Sequence, residues 1–387
     1  MKKFLFVFAM FTASCFSSEN HSRFTDDDIT STCISESSTS IADTQSMVVI
    51  DLDDAFGFDY INIDNLIDTI YFLPLETTED CLFHGVSKVM ISGERIFVMD
   101  YSKKMLIFND KGKYISQLSV GQGPGELIGV WDFTYDESRK KLIVYDESDY
   151  LKFYDINGNF VSEIKSPILF HEFCTWNGGF VLFQPEFLNM HLGEEARYAL
   201  FFTDNNLTIK NKCMSVSEHG FTRHSPFLFK DDDRILISGL ANDTIFELMA
   251  NSFKAKYILK YNLHKADITD MDAIKTSSKY YHSSGYQENC RTQVFHFHSF
   301  KNGSYDILRD KASGNIIGGQ STECNFMLIP LCIPCLTSYN DFFVCTLQPQ
   351  KGMHFSSSII SEDDNKKLEG LTDEDNVVLV FYKYKEF

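Results

Sequence analysis

The chain has 387 residues, a formal net charge of −19 at pH 7 and an apolar fraction of 44%. A chain of this length can bury a substantial core in one closed domain. This negative charge argues against binding to nucleic acid, because the sequence has no stripe of basic residues to contact phosphates. It argues equally against binding to an anionic membrane surface. The 36 Phe and 18 Tyr residues favour strands, since aromatic side chains suit the pleated surface of a sheet.

The N-terminus has the features of an export signal over residues 1–15. Lys2 and Lys3 form a positive segment, and residues 4–11 form an apolar segment too short to span a bilayer. The small residues before Cys15 resemble a bacterial lipobox, although Thr12 stands where a leucine is usual. We therefore predict that Cys15 is lipidated and anchors the protein in the cell envelope, at the outer membrane. Cleavage followed by secretion is the alternative.

Residues 16–46 are rich in Ser, Thr, Asp and Glu and show little apolar periodicity. This composition predicts a flexible tether that holds a folded domain away from the membrane. The remaining residues, 47–387, are predicted to form one β domain. The short apolar runs at Met47–Leu52 and Tyr71–Leu75 are expected to be strands near its start.

An internal repeat lies between Val86 and Ser166. Asp100 corresponds to Asp146, Phe108 to Tyr154 and Gly112 to Gly158, each pair 46 positions apart. A period in the forties, with about four short strands per repeat, is typical of a β-propeller blade. The two blades are predicted at 83–120 and 129–166, with glycine-containing hairpin turns at 109–112 and 155–158.

Weaker strand patterns continue to the C-terminus. They predict a third blade from Phe173, a fourth over 227–259, a fifth containing 294–300 and 304–309, and further strands over 326–347 and 377–383. The fold class is therefore an all-β, six-bladed propeller with four-stranded antiparallel blades. Closure removes the exposed sheet edges, so Met47–Leu52 or Tyr71–Leu75 is expected to pair with Val377–Lys383.

Three polar segments interrupt the strand pattern. They are Pro185–Glu195, Lys265–Tyr281 and Pro349–Asp375, the last two with some helical character. Together with the aromatic residues, these insertions are expected to shape one face of the propeller.

The glycine-rich loop between the two repeats reads Gly121-Gln122-Gly123-Pro124-Gly125-Glu126. A phosphate-binding loop would need a Lys-Ser/Thr pair and a following helix, and the sequence has neither here. The alternatives are an inter-blade loop in which Glu126 caps backbone N–H groups, or a loop that lines a ligand site at the face of the propeller.

Two motifs are weak metal-site candidates. Cys332 and Cys335 form a CxxC pair in an apolar segment, where buried thiols, a disulfide and a zinc site with Cys324 and Cys345 are the alternatives. His296 and His298 alternate along a predicted strand, which places both imidazoles on one face. A third ligand is not evident, so no metal site and no cofactor are predicted.

Three segments carry a family resemblance. Residues 73–77 (Leu-Pro-Leu-Glu-Thr), the loop 121–126 and residues 375–383 (Asp-Asn-Val-Val-Leu-Val-Phe-Tyr-Lys) resemble the six-bladed β-propeller lipoproteins of anaerobic Gram-negative gut bacteria. That family falls among domains of unknown function with propellers similar to NHL repeats. The resemblance implies a fold and an envelope location, and it brings no catalytic residues.

These observations lead to two functional hypotheses. The first is a non-enzymatic, lipid-anchored monomer that binds a protein, a peptide or a glycan at the propeller face. The alternative is a metal-dependent hydrolase or lyase whose site lies in the central channel, assembled from distant positions that spacing does not reveal.

Overall fold

The computed structural model describes residues 47–57, 61, 65–83, 85–184, 188–215, 228–231, 234–238, 243–250, 253–267, 271–282, 286–320 and 336–387. Its strands form six sheets, antiparallel except for one added parallel strand, and these are the six blades of a propeller. The predicted fold class is confirmed. Among the described residues, no helix has the length and apolar character that a membrane crossing requires.

The elements follow in chain order. Two strands precede the first blade, β1 (Val48–Asp51) and β2 (Ile67–Pro74). Blade 1 contains β3 (Val86–Ser92), β4 (Arg95–Asp100), β5 (Met105–Asn109) and β6 (Tyr114–Gln117); blade 2 contains β7 (Val130–Asp136), β8 (Lys141–Asp146), β9 (Tyr150–Tyr154) and β10 (Phe160–Lys165). Blade 3 contains β11 (Glu172–Trp176), β12 (Gly179–Phe183), β13 (Tyr198–Thr203) and β14 (Ile209–Ser215); blade 4 contains β15 (Leu228–Asp231), β16 (Arg234–Ser238), β17 (Thr244–Leu248) and β18 (Phe253–Lys260).

Blade 5 has a divided first strand, β19 (Tyr281–His282) and β20 (Gln287–Glu288), followed by β21 (Thr292–Ser299), β22 (Gly303–Asp310) and β23 (Ile316–Gln320). Blade 6 contains β24 (Thr337–Tyr339), β25 (Phe342–Leu347) and β26 (Val378–Tyr384). Within the described residues, the helices are two 3-10 helices, Asp53–Gly57 and Met190–Arg197, and two α-helices, α1 (Met271–Thr276) and α2 (Glu362–Glu369).

The core lies between the blades. The second strand of each of the first two blades, β4 and β8, is buried over five consecutive residues because it is covered by a neighbouring blade on each side. Six apolar clusters join successive blades around the ring, and one of them packs Leu379 and Phe381 of blade 6 against Val98 and Phe108 of blade 1. First strands of neighbouring blades contact one another and surround the centre.

The ring closes through the N- and C-terminal strands. Strand β2 pairs antiparallel with β26, from Ile67 opposite Tyr384 to Pro74 opposite Val378, and supplies the fourth strand of blade 6. This confirms the second of the two expected pairings. Strand β1 instead lies parallel to β18, with Val48 opposite Tyr257, as a fifth strand of blade 4.

Asn376 secures this closure. Its Nδ2 donates to the carbonyl oxygens of Glu76 (2.8 Å) and Cys81 (2.9 Å), and its Oδ1 accepts from the backbone N–H of Phe83 at 3.0 Å. The side chain is 1% exposed, so these bonds satisfy backbone groups that water does not reach. One buried amide thereby ties the segment between β2 and β3 to the segment that leads into β26.

The turn between the third and fourth strands recurs in four blades. In each, one carboxylate or amide oxygen accepts two backbone N–H groups of the turn, and the residues are Asn109, Asp155, Asp204 and Asp310. Gly112 and Gly158 have φ of 73° and 86° at equivalent positions, which confirms the predicted hairpin turns. Gly112 also lies against blade 6, since a Cβ there would be 2.3 Å from the carbonyl oxygen of Pro74.

Strand direction defines two faces of the ring. We call the upper face the side that carries the turns between second and third strands and the connections from one blade to the next. The lower face carries the other two turns of each blade. The three insertions predicted from the sequence all belong to upper-face connections, and their described parts include the 3-10 helix Met190–Arg197, α1 and α2.

Candidate binding face

The glycine-rich loop connects blade 1 to blade 2 and folds back on itself. The backbone N–H of Gly121 donates to the carbonyl oxygen of Leu127 at 2.9 Å, and the N–H of Leu127 donates to Ser119 at 2.8 Å. The carboxylate of Glu126 accepts the N–H of Gly123 at 2.8 Å. This is the capping role expected of Glu126 in an inter-blade loop.

Blade 2 holds this loop in place. Tyr154 donates its hydroxyl to the carbonyl oxygen of Gly125 at 3.1 Å, and Lys152 donates to the carbonyl oxygen of Glu126. Gly125 has φ of 74° and lies against Phe160, whose Cγ would be 2.4 Å from an added Cβ. A side chain would not fit, so the conformation requires glycine here.

A buried ion pair anchors the end of the loop. Asp146 is fully buried and its Oδ2 lies 3.2 Å from Lys152 Nζ, which is itself almost entirely buried. The other carboxylate oxygen, Oδ1, accepts the N–H groups of Ile128 (2.8 Å) and Gly129 (3.2 Å). The carboxylate therefore fixes the point at which the chain enters β7, beside the centre of the ring.

An aromatic patch lies next to this anchor on the upper face. We define it by Tyr101, Lys103, Ile128 and Trp131. The Tyr101 ring lies over Gly85, at the start of the first strand of blade 1. Trp131 lies in a bulge of β7, between Val130 and Asp132, and is 46% exposed, and Tyr101 is 73% exposed. The patch thus reaches the upper ends of two innermost strands, at the mouth of the ring.

Lys103 orders the patch. Its Nζ is 3.9 Å from the centroid of the Trp131 ring and forms an ion pair with Glu147. Its carbonyl oxygen accepts the N–H of Val130 at 3.2 Å. The indole is held at the surface instead of turning into the core.

Exposed apolar side chains are distributed unevenly between the faces. Of the thirteen large ones that are exposed among the described residues, eight belong to upper-face segments: Leu82, Tyr101, Val120, Ile128, Trp131, Met190, Leu263 and Phe300. One, Met249, belongs to a lower-face turn, and the other four lie on β1 and β10 at the outside of the ring. The upper face therefore carries more exposed apolar side chains than the lower face, which makes it the candidate binding face.

The histidine pair lies in blade 5 as the sequence predicted. His296 and His298 share one face of β21. His296 Nδ1 donates to the buried carboxylate of Asp306, while burial, with a smaller contribution from His296, lowers the pKa of His298. In the part of the chain that the structure describes, no three His, Cys, Asp or Glu side chains converge as metal ligands.

Of the four cysteines considered as zinc ligands, Cys345 belongs to the described residues. Cys324, Cys332 and Cys335 lie outside the described residues, as does Cys15. Cys345 lies inside blade 6, where burial raises the pKa of its thiol to about 12. This residue has the character of a buried apolar side chain, not of a thiolate ligand.

The buried ion pair yields a prediction on stability. Asp146→Asn leaves the Lys152 ammonium without a buried counter-charge, so we expect a loss of about 3–5 kcal/mol in the free energy of unfolding. The matched control is Asp100→Asn, because Asp100 is the equivalent buried residue of blade 1 and its carboxylate accepts Lys104 N–H and the Ser102 hydroxyl. We expect about 1–2 kcal/mol there. Urea unfolding monitored by circular dichroism measures both, and equal losses would contradict the role of the pair.

Comparison with known proteins gives the family. A family model described as "domain of unknown function (DUF4934)" matches residues 47–383. No curated protein matches the sequence. Among solved structures, a Bacteroides fragilis protein described as exported matches with a TM-score of 0.68 and 16% identity, over 88% of this chain and 100% of the other.

Two further structures match less closely. BamB from Moraxella catarrhalis gives a TM-score of 0.38 at 10% identity over 67% of this chain and 69% of its own. The extracellular domain of a two-component system from Bacteroides thetaiotaomicron gives 0.34 at 9% identity over 65% of this chain and 29% of its own. The likeness to the Bacteroides fragilis protein, with its TM-score of 0.68, establishes the fold. The family model spans nearly all of the propeller, and the chain therefore belongs to the DUF4934 family.

Proposed function

We propose that this protein is a lipid-anchored, non-enzymatic binding module of the cell envelope and that its upper face binds a polypeptide partner. The observation that carries the proposal is the concentration of exposed apolar side chains and of all three insertions on that face. Interfaces between proteins are enriched in Trp and Tyr at their energetic centre, surrounded by other apolar contacts.

The composition of the face favours a polypeptide over a glycan. The exposed side chains of the upper face include the aliphatic residues Leu82, Val120 and Ile128 besides the two aromatic rings. Aliphatic groups gain free energy by burial against other apolar groups, which a partner protein supplies and a hydroxyl-rich sugar does not. Lys103 pre-organises Trp131, so binding does not need to immobilise the indole.

An envelope location is supported by the export signal predicted over residues 1–15, and the Bacteroides fragilis protein of the same fold is described as exported. The tether predicted at 16–46 would let the propeller reach a partner while the lipid on Cys15 remains in the membrane.

A photo-crosslinking experiment in intact cells tests the binding face. Benzoylphenylalanine in place of Tyr101 is expected to yield a discrete crosslinked adduct with a protein. The control is the same group at Glu94, an exposed residue of the lower-face turn in the same blade. Adding Trp131→Ala should reduce the Tyr101-position adduct at least tenfold, because a central aromatic contact is worth more than about 1.4 kcal/mol.

Two outcomes of that experiment would overturn the proposal. One is an equal yield of adducts from position 94. The other is no protein adduct from position 101 at any expression level that gives folded protein. A glycan adduct at position 101 would replace the polypeptide partner with a carbohydrate one.

Lipid anchoring has its own test. Cys15→Ala should move the protein from the membrane pellet to the soluble fraction, because one residue carries the acyl chains. Cys33→Ala, a cysteine of the predicted tether, should leave fractionation unchanged. Membrane association that survives in Cys15→Ala would show that another segment anchors the chain.

A further inference from the structure

The residues that precede β2 form a strap along the outer rim of two blades. We define the strap as residues 48–57, which contain β1 and the first 3-10 helix. Strand β1 is the outermost strand of blade 4, and the 3-10 helix lies against β23, the outermost strand of blade 5. The strap is thus an addition to the outside of the ring, separate from the closure that β2 and β26 form.

The first attachment of the strap is to blade 4. The residues of β1 pair in parallel with residues 257–260 of β18, and the N–H of Leu52 continues the ladder by donating to the carbonyl oxygen of Lys260 at 2.7 Å. Ile50 and Leu52 are almost fully buried in the apolar cluster that joins blades 4 and 5. This half of the strap is therefore held by backbone hydrogen bonds and by apolar burial.

The second attachment is the side chain of Phe56, which lies among aromatic rings. Its ring stacks on Tyr305, with 5.0 Å between the centroids, and on His264 at the same distance. It meets the ring of Phe297 edge-on at 5.1 Å, and the Tyr280 ring lies 5.1 Å away. Aromatic pairs in these arrangements contribute more than their buried area alone, so one side chain fixes this end of the strap.

Polar contacts hold the backbone around Phe56. The hydroxyl of Tyr305 donates to the carbonyl oxygen of Ala55 at 2.7 Å, and both groups are buried. The same oxygen approaches blade 5 so closely that a Cβ at Gly318 would be 2.2 Å from it. On the other side, the carboxylate of Asp53 accepts the N–H of Leu263 at 2.9 Å. The strap is thus fastened to two blades by independent contacts.

The order of the chain places the strap between the predicted anchor and the closing strand. The chain runs from Cys15 through residues 16–46 to the strap, and only then to β2. Tension on the anchor therefore meets the strap first. Without the strap, the same tension would act on Ile67, the first residue of β2, and would load its pair with Tyr384 before the other pairs of the closure.

We propose that the strap carries the tension between the membrane anchor and the propeller and keeps it from the closing strand β2. This inference rests on the lipid anchoring in the proposed function. A partner bound at the upper face and a lipid held in the membrane pull on the protein from two ends of this path. Because the strap transfers the load to blades 4 and 5, the pairing of β2 with β26 and the upper face keep their geometry.

Pulling on single molecules with optical tweezers in two geometries tests this. One geometry attaches the handles at Ser17, before the strap, and at Glu94, an exposed residue of blade 1; the other replaces Ser17 with the exposed Asn65, after the strap. At the same force, the ring should take at least about tenfold longer to open through Ser17, because burial of one large apolar side chain is worth that factor. Equal opening times in the two geometries would overturn the proposal.

Phe56 provides the matched variant. Phe56→Ala should shorten the opening time when the molecule is pulled through Ser17 and leave it unchanged when pulled through Asn65. Phe300→Ala, which removes an exposed ring of blade 5 outside the strap, should change neither time. Equal shortening by Phe56→Ala in both geometries would show a general loss of stability and contradict the assigned role. Fractionation of Cys15→Ala tests the anchor separately, so a failure of anchoring is distinguished from a failure of the strap.

Discussion

The pairing of β2 with β26 is the interaction on which the whole architecture depends. Without β2, blade 6 would have three strands, and β26 would present unpaired backbone groups at its outer edge. Blade 6 also packs on blade 1 through Leu379 and Phe381, so a break in the pairing would loosen an inter-blade core as well. Asn376 adds a buried polar contact that links the two chain ends at this seam.

The segments that carry the family resemblance lie where the ring closes and where blade 1 connects to blade 2. Residues 73–77 and 375–383 meet in the closing blade, where Asn376 donates its backbone N–H to the Thr77 hydroxyl at 2.9 Å. The loop 121–126 joins blades 1 and 2 and is held by Tyr154 and Lys152. These sequences are explained by the geometry of a closed ring. Binding is then best sought in residues outside the family motifs, such as Trp131 on the upper face.

The sequence predicts the fold of this protein better than it predicts the candidate binding face. The 46-residue repeat predicted the blades because each repeat must build the same strand order, and Gly112 and Gly158 indeed occupy equivalent turns. The aromatic patch was not predicted, since Trp131 lies in a strand whose apolar pattern suggests burial. A bulge between Val130 and Asp132 takes it out of the regular ladder and exposes it. The divided first strand of blade 5 was likewise hidden in a polar segment.

Hydrogen exchange under native conditions tests the closure most directly. If the ring is held by its terminal strands, the amides of β2 and β26 should exchange as slowly as those of β4 and β8, because all of them open only when the whole domain unfolds. Mass spectrometry of peptic fragments covering 67–74 and 378–384 measures this. Exchange in these two strands that is faster by a hundredfold or more than in β4 and β8 would show that the seam opens locally. The closing pair would then not be what holds the propeller together.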